Sequence, residues 1–336
     1  MRVMNPPSWI DGHVDLAWID LGLHPLTAGP DDPEAAVTWG SLAEGRVGMM
    51  FGTIFTEMDG PREDPAAYPA GDAQAAHDAG RRQLDWYLQA ESEGRIRIAR
   101  ERADLVLDAA RPTVVLLMEC ADPIRTPEEA AWWTAQGVRI VGLSWGRGSR
   151  YSGGNSGGGG LTGVGGSLVE ALDELGVAHD CSHLSRESFD DLLRISDGPV
   201  CATHSNAAAV VGENPRHLSD LQYRALAERD AIVGLNLFGR FLHADGDATV
   251  KDCVRHLTHA AGLLGRNRLA LGSDADGGFT ATDLPEDLRS VRDLDRLDAA
   301  LRETGWSDSE RLGFRSANWM RWLETVAAFD RTRPAR

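Results

Sequence analysis

Eight short apolar runs, all but the first followed by a stretch with helical spacing, constrain this 336-residue chain more than any other feature. They cover 9–15, 48–55, 113–119, 138–144, 178–182, 200–204, 231–237 and 269–273. Several are continuous Val, Ile and Leu segments, the pattern of strands buried on both faces of a parallel sheet. Helical patterns lie at 73–93, 127–136, 166–175, 186–195, 218–228, 250–264 and 284–303. Thr126 before Pro127 and Ser185 before an acid supply helix starts, and Gly137, Gly176 and Gly265 supply stops. The alternation predicts an α/β fold, a (β/α)8 TIM-type barrel, with 1–336 as one catalytic domain and C-terminal helices at about 307–328 packing on it.

The polar residues fall where such a barrel concentrates chemistry. His13 and Asp15 share one face of the first run, because side chains two apart in a strand point the same way. Glu119 ends the third run, His183 follows the fifth, His204 ends the sixth and Asp274 follows the eighth. The C-terminal ends of barrel strands open onto one face, so all six residues are expected at one mouth. Three histidines and two or three carboxylates, without a thiolate, suit zinc or a related divalent ion, and a central carboxylate can bridge two ions. A pair of ions lowers the pKa of a shared water and polarises a carbonyl, which implies hydrolysis of an amide or related bond.

Composition excludes other classes. With 51 acidic against 34 basic residues the formal charge is −17, a surface that repels nucleic acid and anionic membranes. Residues 1–8 match neither a secretory signal nor an anchor, and no apolar stretch has the length of a membrane span, so a soluble cytoplasmic protein is expected. Cys120, Cys181, Cys201 and Cys253 form no Cys-x-x-Cys pair and read as buried apolar residues. The glycine-dominated segment 152–166 lacks the Lys-Ser/Thr of a phosphate loop and reads as a mobile cover over the site. His256 and His259 read as surface residues and His179 as a neighbour of the site. Asp276 reads equally as a support for the site or a helix cap.

The motifs Asp11-Gly-His-Val-Asp-Leu-Ala-Trp18, Glu119, Gly176-Val-Ala-His-Asp-Cys-Ser-His-Leu-Ser185, Pro199-Val-Cys-Ala-Thr-His-Ser-Asn206, Pro215-Arg-His-Leu-Ser-Asp220 and Gly272-Ser-Asp-Ala-Asp-Gly277 span nearly the whole chain. In that order they resemble the membrane (renal) dipeptidase family of zinc metallopeptidases. The resemblance implies two divalent ions, Zn2+ foremost, with His13 and Asp15 on one, His183 and His204 on the other, and Glu119 bridging both. It implies that Asp274 moves a proton from water to the leaving amine, that Arg216 takes the substrate carboxylate, and that the protein forms a homodimer.

One position departs from the family: Trp145 stands where a substrate-contacting histidine is usual. Indole offers one N–H and no charge, so Arg147 or Arg150 is the expected substitute donor. The departure keeps two alternatives beside the dipeptidase reading. One is an amidohydrolase-like enzyme acting on an N-acyl amino acid, a cyclic amide or a lactone; the other is a catalytically weak metal-binding homologue.

Overall fold

The computed structural model describes residues 8–29 and 32–330, and in it eight parallel strands close into a barrel. They are β1 (Trp9–Val14), β2 (Val47–Phe55), β3 (Thr113–Glu119), β4 (Val138–Gly142), β5 (Ala178–Asp180), β6 (Val200–Ala202), β7 (Ile232–Leu235) and β8 (Leu269–Leu271). Each pairs with its neighbour in chain order, and β8 returns to β1 through Asp11 and Leu271. Every strand residue is buried, which is why these runs read as continuous apolar sequence. The expectation for the leading segment, Ser8 aside, lies outside the described residues.

A helix follows each strand: α1 (Trp39–Glu44), α2 (Ala73–Ser92), α3 (Ala130–Gln136), α4 (Gly163–Leu175), α5 (Arg186–Ile195), α6 (Asp220–Glu228), α7 (Val250–Leu264) and α8 (Leu294–Glu303). Side chains of Thr38, Thr162, Ser185 and Ser219 accept from the third residue of α1, α4, α5 and α6, satisfying N–H groups that a helix start leaves open. The last helix starts later than its periodicity suggests. Residues 281–283 and 291–293 are separate 3-10 turns, and Ser290 between them donates to the Ala36 carbonyl instead of continuing a helix.

The C-terminal turns, Asp308–Leu312, Gly313–Ala317 and Asn318–Leu323, cover the β1–β8 seam. Trp319 donates its indole N–H to the Leu271 carbonyl at 2.8 Å, and Asn318 donates to Leu269 at 2.8 Å. The Trp319 ring lies so close to Gly12 that any Cβ there would collide with it. Among the described residues no helix is long and apolar enough to cross a membrane.

Two expectations are corrected. His256 is buried on the inner face of α7, accepting from the Ala207 N–H at 3.1 Å and approaching the Leu242 carbonyl at 3.2 Å, so it is no surface residue. The glycine tract is a hydrogen-bonded knot and not a loose cover. Gly153 donates to Gly160, Ser156 to Gly146, Gly158 to Gly154 and Thr162 to Tyr151. A Cβ on Gly153, Gly154, Gly157 or Gly165 would run into a backbone carbonyl, so the turns close only without side chains.

Candidate metal centre

All six predicted site residues gather at the C-terminal ends of the strands. The β1–β2 pairing slips register between Asp11 and Val14, releasing the strand end that carries His13 and Asp15. Buried Asp11 fixes that end by accepting from the backbone of His13 and of Ser273 beyond β8. His183 and Asp274 each adopt a left-handed backbone (φ 63° and 58°), a strained conformation for residues with a Cβ that is characteristic of functional sites.

Glu119 is the centre of the cluster. Its Oε2 lies 3.3 Å from His13 Nε2, while its Oε1 lies 3.1 Å from His183 Nε2 and 3.5 Å from His204 Nε2. Asp15 and Asp274 each bring Oδ1 within 3.9 Å of His13 Nε2, at 3.8 and 3.9 Å respectively. His183 and His204 point Nε2 at one another across 3.0 Å.

The buried carboxylates and imidazoles shift one another's protonation strongly. Burial alone would lower the His13 imidazole, but the carboxylates of Glu119, Asp15 and Asp274 outweigh it and push it up to about 10. Burial raises Asp15 and Asp274, with the Glu119 charge adding to both. Burial, with the Arg216 charge next, holds His183 down to about 4, and His204 is lowered chiefly by burial as well. Buried His13 Nε2 has no hydrogen-bond partner among the described residues. Ligand-capable atoms of Glu119, His183 and His204 lie within 4.8 Å of one another, as do those of His13, Asp15 and Asp274. Divalent ions fit this donor set: nitrogen lone pairs aimed inward and more carboxylate than a buried site tolerates uncompensated.

Several residues that hold the centre were not singled out from the sequence. The Thr203 hydroxyl donates to Asp180 Oδ2, and its oxygen lies 3.2 Å from His13 Nδ1 and 2.9 Å from His204 Nδ1. A hydroxyl has one proton to give and two acceptor sites, so both histidines direct an Nδ1–H at Thr203 and turn Nε2 toward the centre, where a metal would take its lone pair. Asp180 is itself pinned by the backbone N–H groups of Ser182 and Thr203. The Thr53 hydroxyl donates to Asp15, and Asn236 donates to Asp274 Oδ2 at 2.7 Å. A carboxylate inside an apolar run, Asp180 in the fifth, was the available sign.

The centre opens into a cavity of about 470 Å³ lined by Asp15, Glu119, His183, Arg216 and Asp274 together with aromatic rings. Arg216 is buried, braced by the His204 carbonyl at 2.8 Å and Ser205 Oγ at 3.2 Å, with its Nε unpaired among the described residues. Trp145 forms wall: its ring stacks on His183 at 5.6 Å and meets Phe55 edge-on at 5.4 Å. Arg147 and Arg150 do not reach the cavity, which corrects their expected role. Asp122 holds Arg150 through Nε at 3.1 Å and through its backbone, and exposed Arg147 extends to the Asp59 carbonyl at 3.5 Å. His179 also points elsewhere, to Asp173 on α4 at 2.7 Å. Asp276 neither supports the candidate metal centre nor caps a helix; it accepts from the Ala36 and Val37 N–H groups and contacts His24.

Three comparisons bear on this arrangement. An uncharacterised Klebsiella pneumoniae protein from the region 5′ of pqqA is 34% identical over 258 residues, covering 71% of this chain and 92% of that protein. A Rhodobacter sphaeroides metallopeptidase, solved with a phosphinate mimic of the dipeptide L-Ala-D-Ala, superposes with a TM-score of 0.84 at 26% identity, over 96% of this chain and 100% of that one. A second M19 metallopeptidase, dipeptidase AC, gives a TM-score of 0.84 at 27% identity, over 95% and 98%. The profile of the membrane dipeptidase family matches residues 1–336, and the chain belongs to that family, peptidase family M19.

Proposed function

We propose that this protein hydrolyses the peptide bond of small dipeptides bearing a free carboxylate, using two zinc ions held by His13, Asp15, Glu119, His183 and His204. The observation that carries the reading is Glu119, whose two oxygens face separate histidine sets, His13 on one side and His183 with His204 on the other. Ligands of nitrogen and oxygen without thiolate favour zinc. Such ions supply an activated water at neutral pH and polarise the scissile carbonyl. Asp274, beside His13 and oriented by Asn236, accepts the proton of the attacking water on Oδ1 and returns it to the leaving amine. Arg216, with donors to spare in the cavity wall, takes the substrate carboxylate. Aromatic walls give the cavity a largely apolar lining around these groups.

The whole of 1–336 acts as one catalytic barrel domain. Four buried, unpaired thiols support a cytoplasmic location, and the family resemblance supports a homodimer, which sedimentation would test. Trp145 favours a second reading in which the same centre cleaves a non-dipeptide amide or a lactone. The test is metal content together with a panel of L,L and L,D dipeptides, N-acyl amino acids and lactones, on the protein and on Asp274→Asn. Near two ions per chain, dipeptide turnover, and a loss of about 10²–10⁴-fold in the variant with metal retained are expected. Two ions with turnover confined to the other compounds would select the second reading.

A further inference from the structure

Three phenylalanines stand half-buried on the cavity wall beside Arg216. The guanidinium carbon of Arg216 lies 5.5 Å from the Phe241 ring centre. Phe238 meets Phe241 edge-on at 4.8 Å and stacks on Phe279 at 4.4 Å. Phe238 and Phe241 come from the segment after β7, two and five residues beyond Asn236, and Phe279 comes five residues after Asp274. The turns that aim Asp274 therefore also carry this apolar face. Concave aromatic surface left open toward a charged centre is a signature of ligand contact.

The charges of the cavity give a bound dipeptide its direction. Arg216 marks the carboxylate end, whereas Glu57 and Asp64, beside Trp18, line the cavity as acidic groups suited to a free ammonium. Asp274 stands where the leaving amine is protonated. The residue carrying both the leaving amine and the carboxylate is the C-terminal one, so its α-carbon spans from Asp274 to Arg216 and its side chain emerges at the phenylalanines.

We propose that Phe238, Phe241 and Phe279 form the pocket for the C-terminal side chain and make the enzyme selective for dipeptides ending in a large apolar residue, aromatic ones foremost. The inference rests on the dipeptidase reading. It is tested by kcat/KM across Ala-Gly, Ala-Ala, Ala-Leu and Ala-Phe with the metal-loaded protein, Phe279→Ala and Phe241→Leu. Ala-Phe should exceed Ala-Gly by at least about tenfold, the lower end of what one apolar group in a fitted pocket provides. Both variants should compress that ratio, mainly through KM. On the unmodified protein, free phenylalanine should inhibit as product more strongly than free glycine, a readout that needs no variant. Equal or better turnover of Ala-Gly, with glycine inhibiting as well as phenylalanine, would overturn the pocket and leave the dipeptidase reading intact. Absence of turnover across the whole series would overturn both.

Discussion

Replacing Thr203 by valine keeps the shape of the side chain and removes the one hydroxyl that addresses ligands of both proposed ions. Three hydrogen bonds go at once: the donation to Asp180 and the contacts to His13 Nδ1 at 3.2 Å and His204 Nδ1 at 2.9 Å. Two buried imidazole N–H groups then lack acceptors, and each ring is free to change tautomer or turn its lone pair from the centre. Losing such a support costs about 10–100-fold in metal affinity, or about 1.4–2.8 kcal/mol per ion. Because His13 and His204 serve different ions, the loss should fall on both. Competition with a chromophoric chelator gives the two affinities, and nitrogen NMR of labelled histidines in the zinc-loaded protein reports which ring nitrogen carries the proton. Thr203→Ser retains the hydroxyl and should recover most of the affinity. A valine variant that binds two ions as tightly as the parent, with both histidines still protonated on Nδ1, would refute the reasoning.

Arg216→Met should lower kcat/KM by about a hundredfold for dipeptides with a free carboxylate, the worth of charge-assisted hydrogen bonds, and far less for the corresponding C-terminal amides. Metal content serves as the control, since Arg216 also braces the His204 carbonyl. A second expectation concerns acid stability. His256 is held down to about 4, chiefly by burial. The unfolded chain takes the proton near pH 6.5, so the contribution is fully present above that pH and is lost as pH falls toward 4, at about 1.4 kcal/mol per pH unit. Denaturant midpoints of His256→Gln should show a correspondingly flatter slope across that window, and an unchanged slope would contradict the assignment.

The barrel was legible because each strand is buried on both faces, so Val114 to Met118 or Leu269 to Leu271 read as continuous apolar runs that no surface strand would show. The residues of the candidate centre were legible because they interrupt that pattern at its ends, as Glu119 and His204 do. Residues that hold the ligands were harder to see. Thr203 and Thr53 are short polar residues within buried segments, indistinguishable from ordinary strand threonines until the fold brings Asp180 and Asp15 against them. Arg147 and Arg150 were misassigned for a related reason: proximity to Trp145 in sequence gave no sign that Asp122, 28 residues earlier, would hold Arg150 away. The glycine tract misled because glycine marks both loose chain and close backbone approach, and only the neighbouring carbonyls decide between them.

The seam between β1 and β8 has a consequence for biosynthesis. His13 is synthesised long before the strand that completes its side of the barrel: Asp11 pairs with Leu271, and Ser273 donates to Asp11 across 262 positions of chain. Trp319 then packs on Gly12 and bonds Leu271. The donors proposed for the ions therefore meet only once the chain has emerged past β8, so capture of metal at this centre would follow closure of the barrel.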